Sequence, residues 1–139
     1  MNELPSYVLD TNTLLSASLS ADNKSITAQA YQKALKNGVL LASDETFAEL
    51  VDVIFRSKFD KYLSDSKRLD FISNFRKSVS WVEIKYHVTD CRDKKDNKFL
   101  SLALTSNATL IITGDDDLLV LNPYKNIPII TARMFLEKY

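Results

Sequence analysis

The sequence predicts an α/β fold in which a parallel sheet is covered by helices on both faces. Short apolar runs alternate along the chain with longer segments of helical periodicity. The apolar runs are continuous, without regularly spaced polar residues, which is typical of strands buried on both sides. The chain has 139 residues, of which 45% are hydrophobic and 26% are charged, so it is long enough to bury a core. We therefore expect one α/β domain over residues 1–139.

The first half of the chain predicts two strands and three helical segments. The strands are Tyr7–Leu9 and Val39–Ala42, and Thr11–Ser16 can begin a helical turn between them. Ser25 is placed to cap a helix over Ile26–Asn37 that Gly38 ends. Ser43 caps the next helix, whose first turn carries Asp44 and Glu45 where the helix dipole favours them. The apolar stripe of that helix comprises Phe47, Leu50, Val51, Ile54 and Phe55.

The second half predicts three more strands and four more helical segments. The strands are Trp81–Ile84, Leu110–Thr113 and Ile127–Ile130. Pro128 places the last of these at an edge of the sheet, because proline cannot donate a ladder hydrogen bond. A polar connection runs from His87 to Lys95. The helical segments are Leu63–Ser78, Asn97–Ser106, Asp116–Val120 and one that Thr131 caps and that continues through Leu136.

The composition narrows the classes of function. Eighteen basic and 18 acidic residues cancel, so a strongly basic nucleic-acid-binding shell is absent, although local patches remain open. The single cysteine, Cys91, excludes an intrachain disulfide and fits a reducing compartment. Neither a signal-peptide pattern nor an apolar run of membrane-spanning length is present. We therefore expect a cytoplasmic protein without membrane association.

Carboxylates follow two of the predicted strands at their carboxyl ends. Asp10 ends the first strand, and Asp115 follows the fourth through Thr113 and Gly114. In an open parallel sheet, ligands bind at this edge. Two carboxylates that converge there repel each other unless a cation or a proton lies between them. A divalent-metal site is thus the first hypothesis, and a turn-forming or helix-capping role for Asp10, or a receiver-type phosphoacceptor aspartate, is the alternative.

Two further aspartates extend this acidic set. Asp96 lies at the amino-terminal end of the buried stripe formed by Phe99 and Leu100, so it must be capped, paired or bound to metal. If Asp93 takes the cap, Asp96 is left inside the first turn. Asp117 belongs to a run of three aspartates that exceeds what capping requires, and in a helical turn Asp116 points away from whatever Asp115 faces.

Basic residues flank the acidic set. Such residues suit a polyanionic substrate, although a solvated loop is the alternative for each of them. The candidate contacts to such a substrate are Arg56, Arg92, Lys94, Lys95 and Lys98. The only histidine, His87, falls in a predicted surface loop, so histidine acid-base chemistry has little support. The helical periodicity predicts that Glu49 lies opposite the core stripe and is solvated.

Four segments in this order resemble PIN domains. They are YVLDTNTLLSA, ELVDVIFRSKFDKYL, CRDKKDNKFLSLAL and LIITGDDDLLVL, and together they cover nearly the whole chain. The resemblance is greatest to the bacterial and archaeal branch described as toxin components of toxin–antitoxin systems. The chain departs from the better-studied toxins in a longer middle insert, Ser57–Ser80, which bears on the partner and oligomer surfaces.

The resemblance implies a three-layer α/β/α sandwich around a mostly parallel sheet of four to five strands, and a Mg²⁺- or Mn²⁺-dependent endoribonuclease. It assigns the catalytic carboxylates to Asp10, Glu49, Asp96 and Asp115. Of these, Asp10, Asp96 and Asp115 would bind metal, with Asp117 as a helper and Asn12 and Thr113 as polar supports. RNA is the implied substrate, an antitoxin protein the implied partner, and a homodimer or higher homo-oligomer the implied assembly. A catalytically silent PIN-like module that binds RNA or protein is the alternative.

Overall fold

A five-stranded parallel sheet lies at the centre of the fold. The computed structural model describes residues 3–139. The spatial order of the strands is β3-β2-β1-β4-β5, and each neighbouring pair is parallel. The strands are β1 (Ser6–Leu9), β2 (Val39–Ala42), β3 (Val79–Trp81), β4 (Leu110–Ile112) and β5 (Ile129–Ile130). The predicted parallel sheet is confirmed, and so is the edge position of the strand that follows Pro128.

Helices connect these strands and cover the sheet. Three of them begin at the predicted caps, since the side chains of Ser25, Ser43 and Thr131 each accept a backbone N–H of the helix that follows. Two short 3₁₀ turns lie at Ser57–Phe59 and Lys94–Asp96. The helices are α1 (Thr11–Leu19), α2 (Ile26–Asn37), α3 (Asp44–Ile54), α4 (Asp65–Ser78), α5 (Asn97–Ser106), α6 (Asp116–Leu119) and α7 (Ala132–Lys138).

Each face of the sheet carries a hydrophobic core, because successive strand residues point to opposite faces. On one face, Tyr7 and Leu9 pack with side chains of α1, α2, α3, α4 and α7, including the fully buried Phe135. On the other face, Val8 packs with side chains of α5, including the fully buried Phe99. Burial of each phenylalanine contributes about 2–3 kcal/mol. The three-layer α/β/α sandwich is therefore confirmed.

Some elements depart from the predicted bounds. The third strand is Val79–Trp81 and not Trp81–Ile84, because Val79 pairs with Leu40 of β2. The last strand is shortened to Ile129–Ile130. Phe55 lies beyond the end of α3 and is 40% exposed, so it leaves the predicted core stripe. Val53 is buried in that helix instead.

The middle segment, 57–80, is tied to α3 by a buried arginine that the sequence pattern did not indicate. Arg68 of α4 is 3% exposed and donates to the backbone carbonyls of Ile54 and Arg56. Its guanidinium also contacts the exposed carboxylates of Asp60 and Asp65. These bonds satisfy two carbonyls at the carboxyl end of α3, where helix carbonyls lack partners within the helix. Within residues 3–139, no helix has the length and apolar character that crossing a membrane requires.

Candidate metal centre

Two adjacent central strands bring the first pair of carboxylates together. Leu9 of β1 pairs in register with Ile112 of β4, and both strands run in the same direction. Asp10 follows β1 directly, and Asp115 follows β4 after Thr113 and Gly114. The two side chains consequently lie at the same edge of the sheet, as the sequence predicted.

Asp10 is almost fully buried and has a partner on each carboxylate oxygen. It is 3% exposed. Its Oδ1 accepts the backbone N–H of Thr13 at 3.0 Å, which caps α1. Its Oδ2 accepts the Thr113 hydroxyl at 2.5 Å, and the Thr113 Oγ1 in turn accepts the backbone N–H of Asp115 at 2.9 Å. Asp10 is therefore both a helix cap and the residue that holds the Asp115 loop in place. Burial raises its pKa, against the lowering effect of these hydrogen bonds.

Three other carboxylates converge on Asp115 beside this pair. Asp93, Asp96, Asp115 and Asp117 each offer one oxygen, and these four atoms lie within 4.8 Å of one another. The loop and 3₁₀ turn before α5 supply Asp93 and Asp96, and the turn that begins α6 supplies Asp115 and Asp117. Asp116 lies outside the cluster, as its place in the turn predicted.

Asp96 occupies the helix-capping position without acting as a cap. Its side chain makes no capping hydrogen bond to α5, whereas the Asp93 side chain accepts the backbone N–H of Lys95 in the preceding 3₁₀ turn. Asp96 is 8% exposed, and its Oδ2 is a buried oxygen without a hydrogen-bond partner among the described residues. A buried carboxylate oxygen without a donor is unfavourable unless a proton or a cation compensates it.

The surroundings of Asp96 disfavour its charged form in the absence of a cation. Burial, followed by the adjacent Asp115 carboxyl and the charge of Asp93, raises the pKa of Asp96 from 3.8 to about 8. A protonated Asp96 can donate a hydrogen bond to Asp115, which relieves the repulsion between them. The site therefore needs either a proton or a cation at neutral pH.

Glu49, which the resemblance assigns to the catalytic carboxylates, forms an ion pair and does not belong to the acidic cluster. Its carboxylate binds the Lys98 ammonium across the α3–α5 interface. The two side chains are 26% and 12% exposed. The solvated position that periodicity predicted for Glu49 is therefore wrong, because α5 covers this part of α3.

The sequence matches a family model that covers most of the chain. The model describes the PIN domain, and it matches residues 6–117. The chain belongs to the PIN domain family. This PIN-domain protein is also 31% identical, over 145 residues, to the uncharacterized protein MJ1680 of Methanocaldococcus jannaschii. That alignment covers 95% of the present chain and 90% of the relative.

Solved structures share the fold of this PIN domain at low sequence identity. PAE2754 from Pyrobaculum aerophilum aligns with a TM-score of 0.63 and 16% identity, over 95% of this chain and 93% of that one. VapBC2 from Rickettsia felis, bound to a DNA fragment from its promoter, aligns with a TM-score of 0.61 and 16% identity. The latter alignment covers 91% of this chain and 98% of the other. Both confirm the predicted fold class.

The candidate RNA-contacting cations of the PIN domain divide into paired and unpaired side chains. Arg92 pairs with Asp117, Arg56 pairs with Asp52 four residues earlier, and Lys98 is the partly buried partner of Glu49. Lys94 and Lys95 are exposed beside Asp96, and the structure shows no ion pair to either of them among residues 3–139. Among the five candidates, these two lysines are therefore the ones whose charge no ion pair neutralises in the described residues.

The polar supports and the histidine have contrasting surroundings. Thr113 is buried and bonded to Asp10, as described above, while Asn12 is exposed at the start of α1. The adjacent Thr11 is buried, and its Oγ1 has no hydrogen-bond partner in the described part of the chain. His87 is exposed in the loop after β3, as predicted.

Asp93 is the member of the cluster that sequence reasoning does not assign to the metal. The sequence presents it only as a competing cap, and it does cap the 3₁₀ turn. The signal that could have identified it is its spacing: Asp93 precedes Asp96 by three residues, and residues three apart in a 3₁₀ turn lie on the same side. Asp10, by contrast, borders the cluster of four without belonging to it.

The residues at this site fit a hard divalent cation. All four converging donors are carboxylate oxygens, which Mg²⁺ and Mn²⁺ prefer. The unpartnered Asp96 Oδ2 supplies an oxygen that nothing else in the described residues satisfies. Part of the cluster stays accessible, since Asp93, Asp115 and Asp117 are only half-buried. The site can thus hold a cation and still admit a ligand from solvent.

Proposed function

We propose that this PIN-domain protein is a metal-dependent endoribonuclease that hydrolyses RNA phosphodiester bonds. The observation that carries the proposal is the buried Asp96 Oδ2, which has no partner among the described residues and lies in a half-open cluster of four carboxylates. Structural ion pairs and helix caps do not account for this oxygen. PIN domains are usually nucleases, which favours a cation used for phosphodiester chemistry over a purely structural one.

Mg²⁺ or Mn²⁺ would be held by Asp96, Asp115 and Asp117, with Asp93 as an additional ligand and Asp10 at the border of the site. A bound divalent cation supplies Lewis-acid chemistry, lowering the pKa of water and neutralising charge on a phosphate. Without it, the clustered carboxylates repel the phosphate of a substrate.

The protein's own residues perform the positioning. Thr113 bridges Asp10 to the backbone of Asp115, so the strand ends hold the two carboxylates in fixed relation. Glu49 and Lys98 neutralise each other across the α3–α5 interface, so this ion pair adds no net charge. Lys94 and Lys95 are exposed and can contact neighbouring phosphates of the RNA strand, because such contacts orient a nucleic acid without reading its sequence.

We further propose that the protein is the toxin of a toxin–antitoxin pair, with an antitoxin protein as partner. The sequence resemblance to the toxin branch and the fold shared with VapBC2 support this role. Induced expression of the wild type should arrest growth, whereas induced Asp10→Asn should not. Equal growth of the two cultures at equal protein levels would contradict the toxin role without affecting the nuclease proposal.

Cleavage of labelled RNA tests the nuclease function directly. We expect cleavage by the wild type in Mn²⁺ or Mg²⁺ and none in chelator. Asp10→Asn should lower the rate at least about a hundredfold, because Asp10 holds the Asp115 loop in place through Thr113 and places a carboxylate at the border of the metal site. Asp116→Asn is the matched control, because Asp116 lies outside the cluster. Cleavage in chelator, or an equal rate for Asp10→Asn, would refute the proposal, and RNA binding without cleavage would favour a silent RNA-binding module.

A further inference from the structure

A pocket opens on the side of Asp115 that faces α1 and the start of α7. It has a volume of about 530 Å³. Asp115 belongs both to this pocket and to the acidic cluster, so the pocket begins where the candidate metal centre ends. Besides Asp115, its lining consists of Asn12, Thr13, Ser16, Thr27, Thr113, Gly114 and Ala132.

The charge of the lining excludes a phosphate as the preferred occupant. Among the described residues, Asp115 is the only charged one that lines the pocket, and no lysine or arginine contributes to it. A phosphate placed there would face a carboxylate without any compensating cation. An uncharged group carrying hydrogen-bond donors and acceptors avoids this repulsion.

The polar groups of the pocket can serve as both donors and acceptors. The hydroxyls of Ser16 in α1 and Thr27 in α2 are hydrogen-bonded at 2.8 Å, and the Thr27 hydroxyl also contacts that of Ser25 at 3.3 Å. The exposed Ser16 hydroxyl keeps capacity for a further hydrogen bond toward the pocket. The Asn12 side chain is exposed at the same rim, and no hydrogen bond within residues 3–139 uses its amide. Amide and hydroxyl side chains are those that read the edges of unpaired bases.

Apolar surface completes the pocket. Thr13, Thr27 and Ala132, which carry methyl groups, belong to its lining, and no aromatic side chain of the described residues does so. A base held here would be recognised at its edge and packed against methyl groups, without a stacking platform. That arrangement favours recognition of base identity over the sequence-tolerant stacking of general single-strand binders.

We propose that this pocket binds the nucleobase of the nucleotide next to the scissile phosphate and sets the base preference of cleavage. The inference rests on the proposed nuclease function, since the acidic cluster defines where the phosphate lies. The pocket shares Asp115 with that cluster, so the base of an adjacent nucleotide is the part of the substrate that can reach it.

Cleavage of four oligonucleotides that differ only in the base beside a single scissile bond tests the proposal. We expect the wild type to prefer one base. Ser16→Ala and Thr27→Val should each raise KM for the preferred substrate about fivefold, the loss of one hydrogen bond, with kcat within about twofold. Ser18→Ala is the matched control, because the Ser18 hydroxyl donates to the Leu15 carbonyl and lines a different groove. Equal KM values for all four bases, or an unchanged preference in both pocket variants, would overturn the proposal.

A binding measurement separates this inference from the nuclease proposal. The uncharged nucleosides adenosine, guanosine, cytidine and uridine are titrated into the metal-free protein, and backbone amide shifts are followed by NMR. We expect one nucleoside to shift the amides of Ser16, Thr27 and Ala132 more than the other three do, even if cleavage were absent. Indistinguishable shifts with all four nucleosides, or shifts confined to other parts of the chain, would overturn base recognition by this pocket.

Discussion

Replacement of Asp96 by asparagine should stabilise the metal-free protein and abolish its response to metal. The asparagine side chain would keep the shape of the aspartate, remove the charge, and donate a hydrogen bond toward Asp115 as a protonated Asp96 does. The substitution therefore removes the repulsion among the clustered carboxylates without creating a cavity. If Asp96 is retained for metal binding, its replacement should raise the stability of the metal-free protein and at the same time remove metal-dependent function.

The structure sets the size of the effect. Folding raises the pKa of Asp96 from 3.8 to about 8. At about 1.4 kcal/mol per pKa unit, this shift sets an upper limit of about 6 kcal/mol on the free-energy cost of ionising Asp96 in the folded protein. We expect Asp96→Asn to raise the free energy of unfolding by about 2 kcal/mol at pH 8. This is less than the limit, because solvent and salt screen the half-buried neighbours Asp93, Asp115 and Asp117. In a protein of this size, that corresponds to a rise in Tm of about 8 °C.

The sign of the pH dependence follows from the direction of the shift. Since the folded protein binds this proton more tightly than the unfolded chain does, the stabilisation by protonated Asp96 is complete below about pH 4. It is lost progressively as the pH rises toward 8. Asparagine does not titrate, so the difference in Tm between variant and wild type should be largest at pH 8–9 and small near pH 4.

Thermal unfolding followed by circular dichroism, in chelator and in Mn²⁺, measures both effects. Mn²⁺ should raise the Tm of the wild type and of Asp116→Asn but leave that of Asp96→Asn nearly unchanged. A lower Tm of Asp96→Asn in chelator at pH 8 would show that the carboxylate is satisfied without a cation. An equal response of all three proteins to Mn²⁺ would place the cation elsewhere.

Three other experiments test separate parts of the structure. Asp93→Asn should weaken Mn²⁺ binding about tenfold in calorimetry while Asp116→Asn leaves it unchanged, and equal affinities would remove Asp93 from the metal site. Arg68→Met should lower the free energy of unfolding in urea by about 2–3 kcal/mol, because two carbonyls of the α3 end lose their donor. A loss below about 1 kcal/mol would contradict that role. Joint replacement of Lys94 and Lys95 by alanine, in the Asp10→Asn background, should weaken RNA binding and reduce its salt slope by about 1.4, whereas an unchanged slope would exclude both lysines from phosphate contact.

The sequence predicted the ends of those helices that are bounded by hydrogen bonds between residues close together in the chain. The cap at Ser25 and the stop at Gly38 bounded α2, and the caps at Ser43 and Thr131 began α3 and α7. These capping hydrogen bonds join residues three positions apart, so the sequence carries the whole interaction. The bounds of β3 were displaced because that edge strand is defined by its register with β2. The pattern of its own residues favoured the more apolar stretch that follows.

The residues of the candidate site also fall into two groups, those that the sequence pattern could predict and those that it could not. Asp10 and Asp115 could be predicted because each follows a strand closely, and the register of β1 with β4 brings such positions together. Glu49 could not be placed by periodicity, since its partner Lys98 lies 49 residues away on another helix. Arg68 was missed for the same reason: its carbonyl partners belong to the end of α3, 12 and 14 residues earlier.

The sequence by itself determined the alternation of strands and helices, the caps, and the two carboxylates at the central strand ends, because these depend on spacing along the chain. Only the tertiary structure decided which oxygens meet. It placed Asp93 in the cluster and Asp10 at its border, and it left Asp96 Oδ2 buried without a donor among the described residues. The physical reason is that the desolvation and repulsion of a carboxylate depend on neighbours from other elements, which no local pattern contains.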